Sequence, residues 1–270
     1  MQRILVTGAT GGVGQLAVAY ALGQGYEVRA LTRNVVKARS LFGDRVDLVQ
    51  ADLRLLDTLT AALDRIDAIL CCSGTTAFPS DKWQVDLPAQ PLEQFLAWGR
   101  IFLDTDYRQR HTKNSPAIAD GQGVQNLIEV AKKSAVQRFV LVSSLGVERK
   151  EEFPFSLLNT YGVLDAKTAA EAALRGSSCR YTIIRPGRLI DGPYTSYDLN
   201  TLIKASTGGK QGVVLGVGDR LLGQTSRKDV AAVCVECLQH LVTEQQTFEI
   251  INQGPRPPAI EWSQLFAAIT

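Results

Sequence analysis

A glycine-spaced turn between an apolar run and a helical pattern limits what this chain can fold into more than any other stretch. Ile4, Leu5 and Val6 read as a buried strand, and Gly8, Gly11 and Gly14 follow within Thr7-Gly8-Ala9-Thr10-Gly11-Gly12-Val13-Gly14. Val13, Leu16, Ala17 and Ala21 then recur at helical spacing. A strand, a glycine turn and a helix in that order present free backbone N–H groups and a helix dipole to an anion. Gly8 permits the tight turn, Gly11 lets the backbone approach a pyrophosphate, and Gly14 lets the helix pack on the strand. The backbone of Thr10, Gly12 and Val13 completes this candidate phosphate cradle. A second apolar strand, residues 27–31, comes after Gly25, which predicts a dinucleotide-binding unit rather than an isolated turn.

The same alternation continues. Asn34 predicts the cap of a helix over residues 35–41, and strands are expected over 46–50, 68–72, 138–144 and 181–185. Between them lie a helix through Leu55, Leu59, Ala62 and Leu63, another over 124–133 and another over 161–175, where Lys167 and Glu171 are spaced as an i,i+4 pair. The expected fold is therefore α/β: a doubly wound parallel Rossmann sheet with helices on both faces and a ligand crevice at the strand C-termini. Past residue 189 a patchwork follows: residues 197–205, a strand over 212–215, a helix from Arg227 capped by Ser226, a strand over 247–251 and a helix over 262–269. It reads as a small C-terminal lobe on one domain spanning residues 1–270.

One stretch does not fit the alternation. About fifty residues separate the fourth strand from the next clear helix, too long for a plain loop. Within it Leu92, Phe95, Leu96, Gly99, Phe102 and Leu103 keep a helical period, whereas residues 104–114 are polar and basic without a core pattern. Residues 86–119 are expected to be an insertion, an amphipathic helix followed by a mobile segment, serving as a cover, a lid or a docking element for a protein partner.

Composition excludes several function classes. Twenty-nine Lys and Arg against 27 Asp and Glu leave a net charge of +2, which favours neither nucleic acid nor a membrane surface. No window is long and apolar enough to span a bilayer, and Met1 stands just before the first strand, so a cytoplasmic protein is expected. The two histidines, His111 and His240, are far apart, and no metal site or His-based triad is expected. Cys234 and Cys237 fall inside a helical pattern and read as small buried hydrophobes rather than a redox pair. Arg227-Lys228 reads as a solvated helix start.

Cofactor choice is read after the second strand. An acidic residue there holds a ribose 2′-hydroxyl, whereas an arginine accommodates a 2′-phosphate. The chain has Thr32-Arg33-Asn34 and no acid, which favours NADP(H).

Residues 3–14, 31–34, 51–53, 139–146, 167–171 and 181–189 resemble the atypical short-chain dehydrogenase/reductase group that includes NmrA-like and Tic62-like proteins. The similarity is greatest to a plastid and cyanobacterial subgroup, through Gly-Thr-Thr-Ala-Phe-Pro at 74–79 and Asp-Gly-Pro-Tyr-Thr-Ser-Tyr-Asp-Leu-Asn at 191–200. The resemblance implies that Asp52 and Leu53 sit by the adenine, Ser73 and Gly74 by the adenosine ribose and pyrophosphate, and Pro186 and Gly187 by the nicotinamide. It also implies that Lys167 binds the nicotinamide ribose.

The catalytic pattern departs from this superfamily. Its active members carry Tyr-x-x-x-Lys, which sets both side chains on one helical face so that the ammonium acidifies the phenol. Here Val163 stands four residues before Lys167, and Tyr161 lies off that face. Ser144, or Ser143, remains a candidate hydrogen-bond donor to a carbonyl, and Tyr194 or Tyr197 a candidate acid. Two functions follow as expectations. One is an NADPH-dependent oxidoreductase acting on a small carbonyl, quinone or flavin-like acceptor. The other is a non-catalytic NADP(H)-binding redox sensor or assembly protein.

Overall fold

Period-two alternation along the strands decides which helices cover each face of the sheet. The computed structural model describes residues 2–190 and 210–269. Its strands are β1 (Arg3–Thr7), β2 (Glu27–Thr32), β3 (Asp47–Gln50), β4 (Ala68–Cys71), β5 (Arg138–Val142), β6 (Arg180–Pro186), β7 (Arg188–Leu189), β8 (Gln211–Gly216), β9 (Gln224–Thr225) and β10 (Gln246–Pro255). The main sheet runs in the order β3-β2-β1-β4-β5-β6-β10-β8, and β7 and β9 pair separately. Every neighbouring pair of the main sheet is parallel except β10 and β8. This is the doubly wound α/β fold the sequence predicts, with an antiparallel strand at one edge.

The helices are α1 (Gly12–Gly23), α2 (Val35–Phe42), α3 (Leu56–Ala62), α4 (Pro91–Leu103), α5 (Thr105–His111), α6 (Gly123–Lys132), α7 (Phe155–Leu158), α8 (Val163–Arg175), α9 (Arg227–Gln239) and α10 (Trp262–Ala267). Ile4, Val6, Val28, Ala30, Leu70 and Val140 pack with Ala17 and Val18 of α1, Val230 and Val233 of α9, and Phe266 of α10. Leu5, Leu31, Ile69, Phe139, Leu141 and Ile183 face the other way, onto Leu59 of α3, Leu127 of α6 and Leu174 of α8. Cys234 and Cys237 of α9 are fully buried members of the first layer, and burial pushes the Cys237 thiol up to about 12. They are core residues.

Two features differ from the sequence reading. Residues 104–114 hold a helix, α5, whose N-cap Asp104 accepts from the Tyr107 amide. A polar helix with no buried residue gives no apolar period, so the pattern of the sequence does not show it. Lys167 and Glu171 do not pair with each other. Glu171 instead accepts from Arg185 Nε (3.0 Å) and Nη2 (2.7 Å), from Arg175 (2.8 Å), and from the Ser143 hydroxyl. Its side chain is fully buried and that of Arg185 is 3% exposed. Arg185 reaches on to Glu148 at 2.7 Å, joining β6, α8 and the loop after β5.

Removing one partner of a buried ion pair leaves the other charge uncompensated. Glu171→Gln should therefore cost about 3 kcal/mol, and thermal unfolding should show Tm lower by roughly 6–12 °C. An unchanged Tm would mean that the network is dispensable.

Candidate functional site

The strand order reverses between β1 and β4, so the segments leaving their C-terminal ends diverge and leave a crevice. At its floor Gly8 has φ +66°, and a β-carbon there would lie 2.6 Å from the Cys72 carbonyl oxygen. A β-carbon on Gly14 would overlap the Gly8 carbonyl, and one on Gly11 would stand 3.1 Å from that same oxygen. The turn closes through Gly11 N–H donating to Gly8 O at 2.8 Å, and Gln15 Nε2 donates to Thr10 O at 2.9 Å. No side chain caps α1 at Gly11, and its first turn holds no acidic residue. The helix start is left to an outside acceptor.

The cleft above this floor is lined by Gly8, Thr10, Gly11, Arg33, Asp52, Leu53, Arg54, Ser73, Gly74 and Asn114, among others. Most of the residues expected at the adenosine and phosphate end thus meet in one place. The Ser73 hydroxyl is turned inward, donating to Thr7 Oγ1 at 2.8 Å, which leaves its backbone to the cleft. Asp52 is held by Arg54, whose Nε lies 2.9 Å from Oδ1. Burial works against ionisation of Asp52, but the Arg54 guanidinium and amide outweigh it and hold the carboxyl below its ordinary value. Arg54 does not stand out in the sequence, because an arginine four residues past a strand looks like surface charge. Its Nη1 donates to the Lys113 carbonyl at 2.7 Å and Arg33 Nη1 to Asn114 Oδ1 at 3.4 Å, so the end of the insertion borders this part of the cleft.

The remaining expected residues stand toward β5 and β6. Leu145 N–H donates to Pro186 O at 3.0 Å, which brings the Ser144 segment beside Pro186 and Gly187. Gly187 N–H donates to Thr225 Oγ1 at 2.9 Å, and a β-carbon on Gly187 would come within 2.6 Å of Gly223 O. Ser144 is half-buried, its hydroxyl donating to Leu145 O at 2.9 Å, whereas Ser143 is spent on Glu171. Lys167 is buried and paired with Asp120, a residue the sequence reading passed over. Tyr194 and Tyr197 lie outside the described residues.

The position of a tyrosine in Tyr-x-x-x-Lys is filled by Val163, packed with Val147, Leu164 and Phe155. Tyr161 is committed elsewhere. Its ring takes edge contacts from Phe78, Trp83 and Phe102 at 5.9–6.1 Å, and the Arg108 guanidinium sits 5.0 Å from its centre. This aromatic hub fastens α4 and α5 to the start of α8. On α4, Ala97 and Ile101 face inward while Leu92, Phe95, Leu96 and Leu103 are 58–89% exposed.

A family model described as NAD(P)H-binding matches residues 8–241. The chain belongs to that family, in the atypical short-chain dehydrogenase/reductase group. It is 27% identical to sanguinarine reductase of Eschscholzia californica, across 99% of this chain and 96% of the reductase. It is 27% identical to the photosystem II assembly factor Ycf39 of Trieres chinensis, across 93% of this chain and 64% of that protein. Protein TIC 62 of Arabidopsis thaliana is 30% identical across 68% of this chain, which spans only 27% of that relative's length. A solved structure of the NAD-dependent epimerase/dehydratase type from Bacillus halodurans superposes with TM-score 0.66 at 26% identity, across 95% of this chain and 96% of its own. Among the described residues no helix is long and apolar enough to cross a membrane, and no group of His, Cys, Asp and Glu could hold a metal ion.

Gly14→Ala should weaken dinucleotide binding at least about tenfold in calorimetric titration, because the turn must open to admit the methyl group. Unaltered affinity would show that the turn does not form the floor of the binding site.

Proposed function

We infer that this protein is an NADPH-dependent oxidoreductase acting on a small carbonyl, quinone or flavin-like acceptor. The observation that carries this reading is one glycine-floored cleft that has Arg33 and Arg54 at one end, with Gly74 and the buried ammonium of Lys167 behind its wall. The fit to a dinucleotide rests on the uncapped start of α1 and on three positions where a β-carbon would fill the cradle. When bound, NADPH supplies a hydride. In this reading the amides of Thr10, Gly11, Gly12 and Val13 with Gly14 bind the pyrophosphate, Asp52 and Leu53 flank the adenine, and Ser73 and Gly74 bound the ribose. Exposed Arg33 offers a guanidinium to a 2′-phosphate, with Asn114 beside it. Pro186 and Gly187 border the nicotinamide, and Ser144 is free to re-aim its hydroxyl at an acceptor oxygen. The resemblance to sanguinarine reductase supports a reductase.

The missing phenol narrows the acceptor. With Val163 in its place and Tyr161 in the aromatic hub, the described residues supply no tyrosine acid to the site. Acceptors that take their proton from water, such as quinones and flavins, suit it better than plain ketones. Five free thiols fit a reducing compartment, and we place the protein in the cytoplasm or an equivalent reducing space.

A second reading, a non-catalytic NADP(H)-binding assembly factor, draws on the exposed apolar face of α4 and the likeness to Ycf39. The two readings are separable. NADPH oxidation followed at the nicotinamide absorbance against quinones, flavins and aldehydes should give turnover that falls about tenfold in kcat/KM with Arg33→Ala and far less with NADH. Tight NADPH binding without turnover would favour the second reading. In that case Phe95→Glu with Leu96→Glu should abolish partner capture and leave NADPH affinity unchanged, and capture by the double variant would end it.

A further inference from the structure

Lys167 and Asp120 meet where three chain segments converge. Asp120 lies in the wide π-helical turn Ala117–Gln122 that leads into α6, Lys167 is on α8, and Thr75 follows β4. Lys167 Nζ is 2.7 Å from Asp120 Oδ1, with the two side chains 9% and 1% exposed. The ammonium also donates to Val142 O at 3.2 Å, and Asp120 Oδ2 accepts from the Thr75 amide at 3.0 Å. The ammonium is thereby held inside the protein between a carbonyl and a paired carboxylate. The wall beside the pair is Gly74, where a β-carbon would stand 3.5 Å from Nζ and 3.0 Å from Asp120 Oδ1. Gly74 lines the cleft, so the ion pair lies directly behind its surface.

A buried ion pair is a poor source of stability, because desolvation consumes most of the attraction. Its value here is placement. We propose that Asp120 is a positioning residue that holds Lys167 as a fixed, permanently charged donor behind Gly74, aimed at the ribose on the nicotinamide side of the cofactor. The inference rests on the reading of the cleft as an NADP(H) site and adds a residue and a consequence to it. An ammonium neutralised by a carboxylate at 2.7 Å has little field left to acidify a nearby hydroxyl. Lys167 then orients the cofactor and supplies no proton, which matches the valine at position 163.

The groups facing Lys167 are few. Asp120 faces it from the turn before α6, Cys71 from β4 and Glu171 from α8 itself. Glu171 is saturated by Arg185 and Arg175, and burial pushes the Cys71 thiol up to about 11. Burial works against the ammonium, but the charge of Asp120 and its hydrogen bond outweigh it, so Lys167 stands above its ordinary value. Removing the carboxylate leaves burial as the dominant influence and lowers the pKa toward neutrality.

The test is NADPH affinity of the full chain by nicotinamide fluorescence, from about pH 7 to about pH 9.5, below the ordinary lysine range. The parent should vary less than about twofold across that span, whereas Asp120→Asn should bind within about threefold of it at the low end and at least about tenfold weaker at the high end. Lys167→Met should bind weakly at every pH. A profile for Asp120→Asn as flat as the parent's, whether at equal or at uniformly reduced affinity, marks a purely structural role and overturns the proposal. If Asp120→Asn does not fold, Asp120→Glu decides the matter. Its longer arm must displace the ammonium, so binding about fivefold weaker with a flat profile is expected, and parental affinity overturns the proposal. If the parent binds no NADPH, the cofactor reading itself has failed, whereas a Lys167→Met variant that binds as well as an NADPH-binding parent overturns the proposal alone.

Discussion

Three backbone segments converge at Gly8 with no room for a β-carbon, and the rest of the molecule depends on that contact. The end of β1, the start of α1 and the residues after β4 approach through bare main chain, with Gly8 and Gly14 facing each other and Cys72. Any larger side chain would push α1 off the sheet and fill the space a phosphate needs. The contact also sets the depth of the cleft, because α1 packs against α9 and positions the first buried layer. Close packing and anion binding are here two consequences of the same missing methyl groups.

Around that floor the protein arranges buried charge with little waste. Glu171 and Arg185 tie β6 to α8, Asp120 and Lys167 tie α8 to the turn before α6, and Asp219 accepts from the amides of Gly146 and Glu148 at 2.8 Å. Each pair joins separate elements. Together they fix the loops after β4 and β5, which are the walls of the site. Rigid walls suit the NAD(P)H-binding family to which the chain belongs, because they hold a bound dinucleotide in one register.

Much of this was legible in the sequence and some was not, for physical reasons. The strands announced themselves because parallel strands buried on both faces are apolar throughout, as in Phe139-Val140-Leu141-Val142. The glycines, and the cap at Asn34 that accepts from the Lys37 amide, were equally plain. Asp120 was not, since a lone acid among small residues has no periodic partner and its lysine is far along the chain. The Lys167–Glu171 spacing misled for the complementary reason. An i,i+4 pair is a surface rule, and both residues are buried where stronger partners from other elements outbid local geometry. Helix α5 escaped because nothing on it is buried.

The insertion is fastened by the side chains around Tyr161 and, beside the cleft, also by backbone groups. Arg54 takes the carbonyl of Lys113, and the Asn114 amide donates to Trp83 O at 2.9 Å. Main-chain groups are present whatever the residue. Exposed positions away from the hub, such as Leu92, Phe95, Leu96 and Leu103, are therefore under little constraint from the fastening and can change while the insertion stays seated at the same edge of the site. That makes the segment a place where new specificity can accumulate without disturbing the fold beneath it.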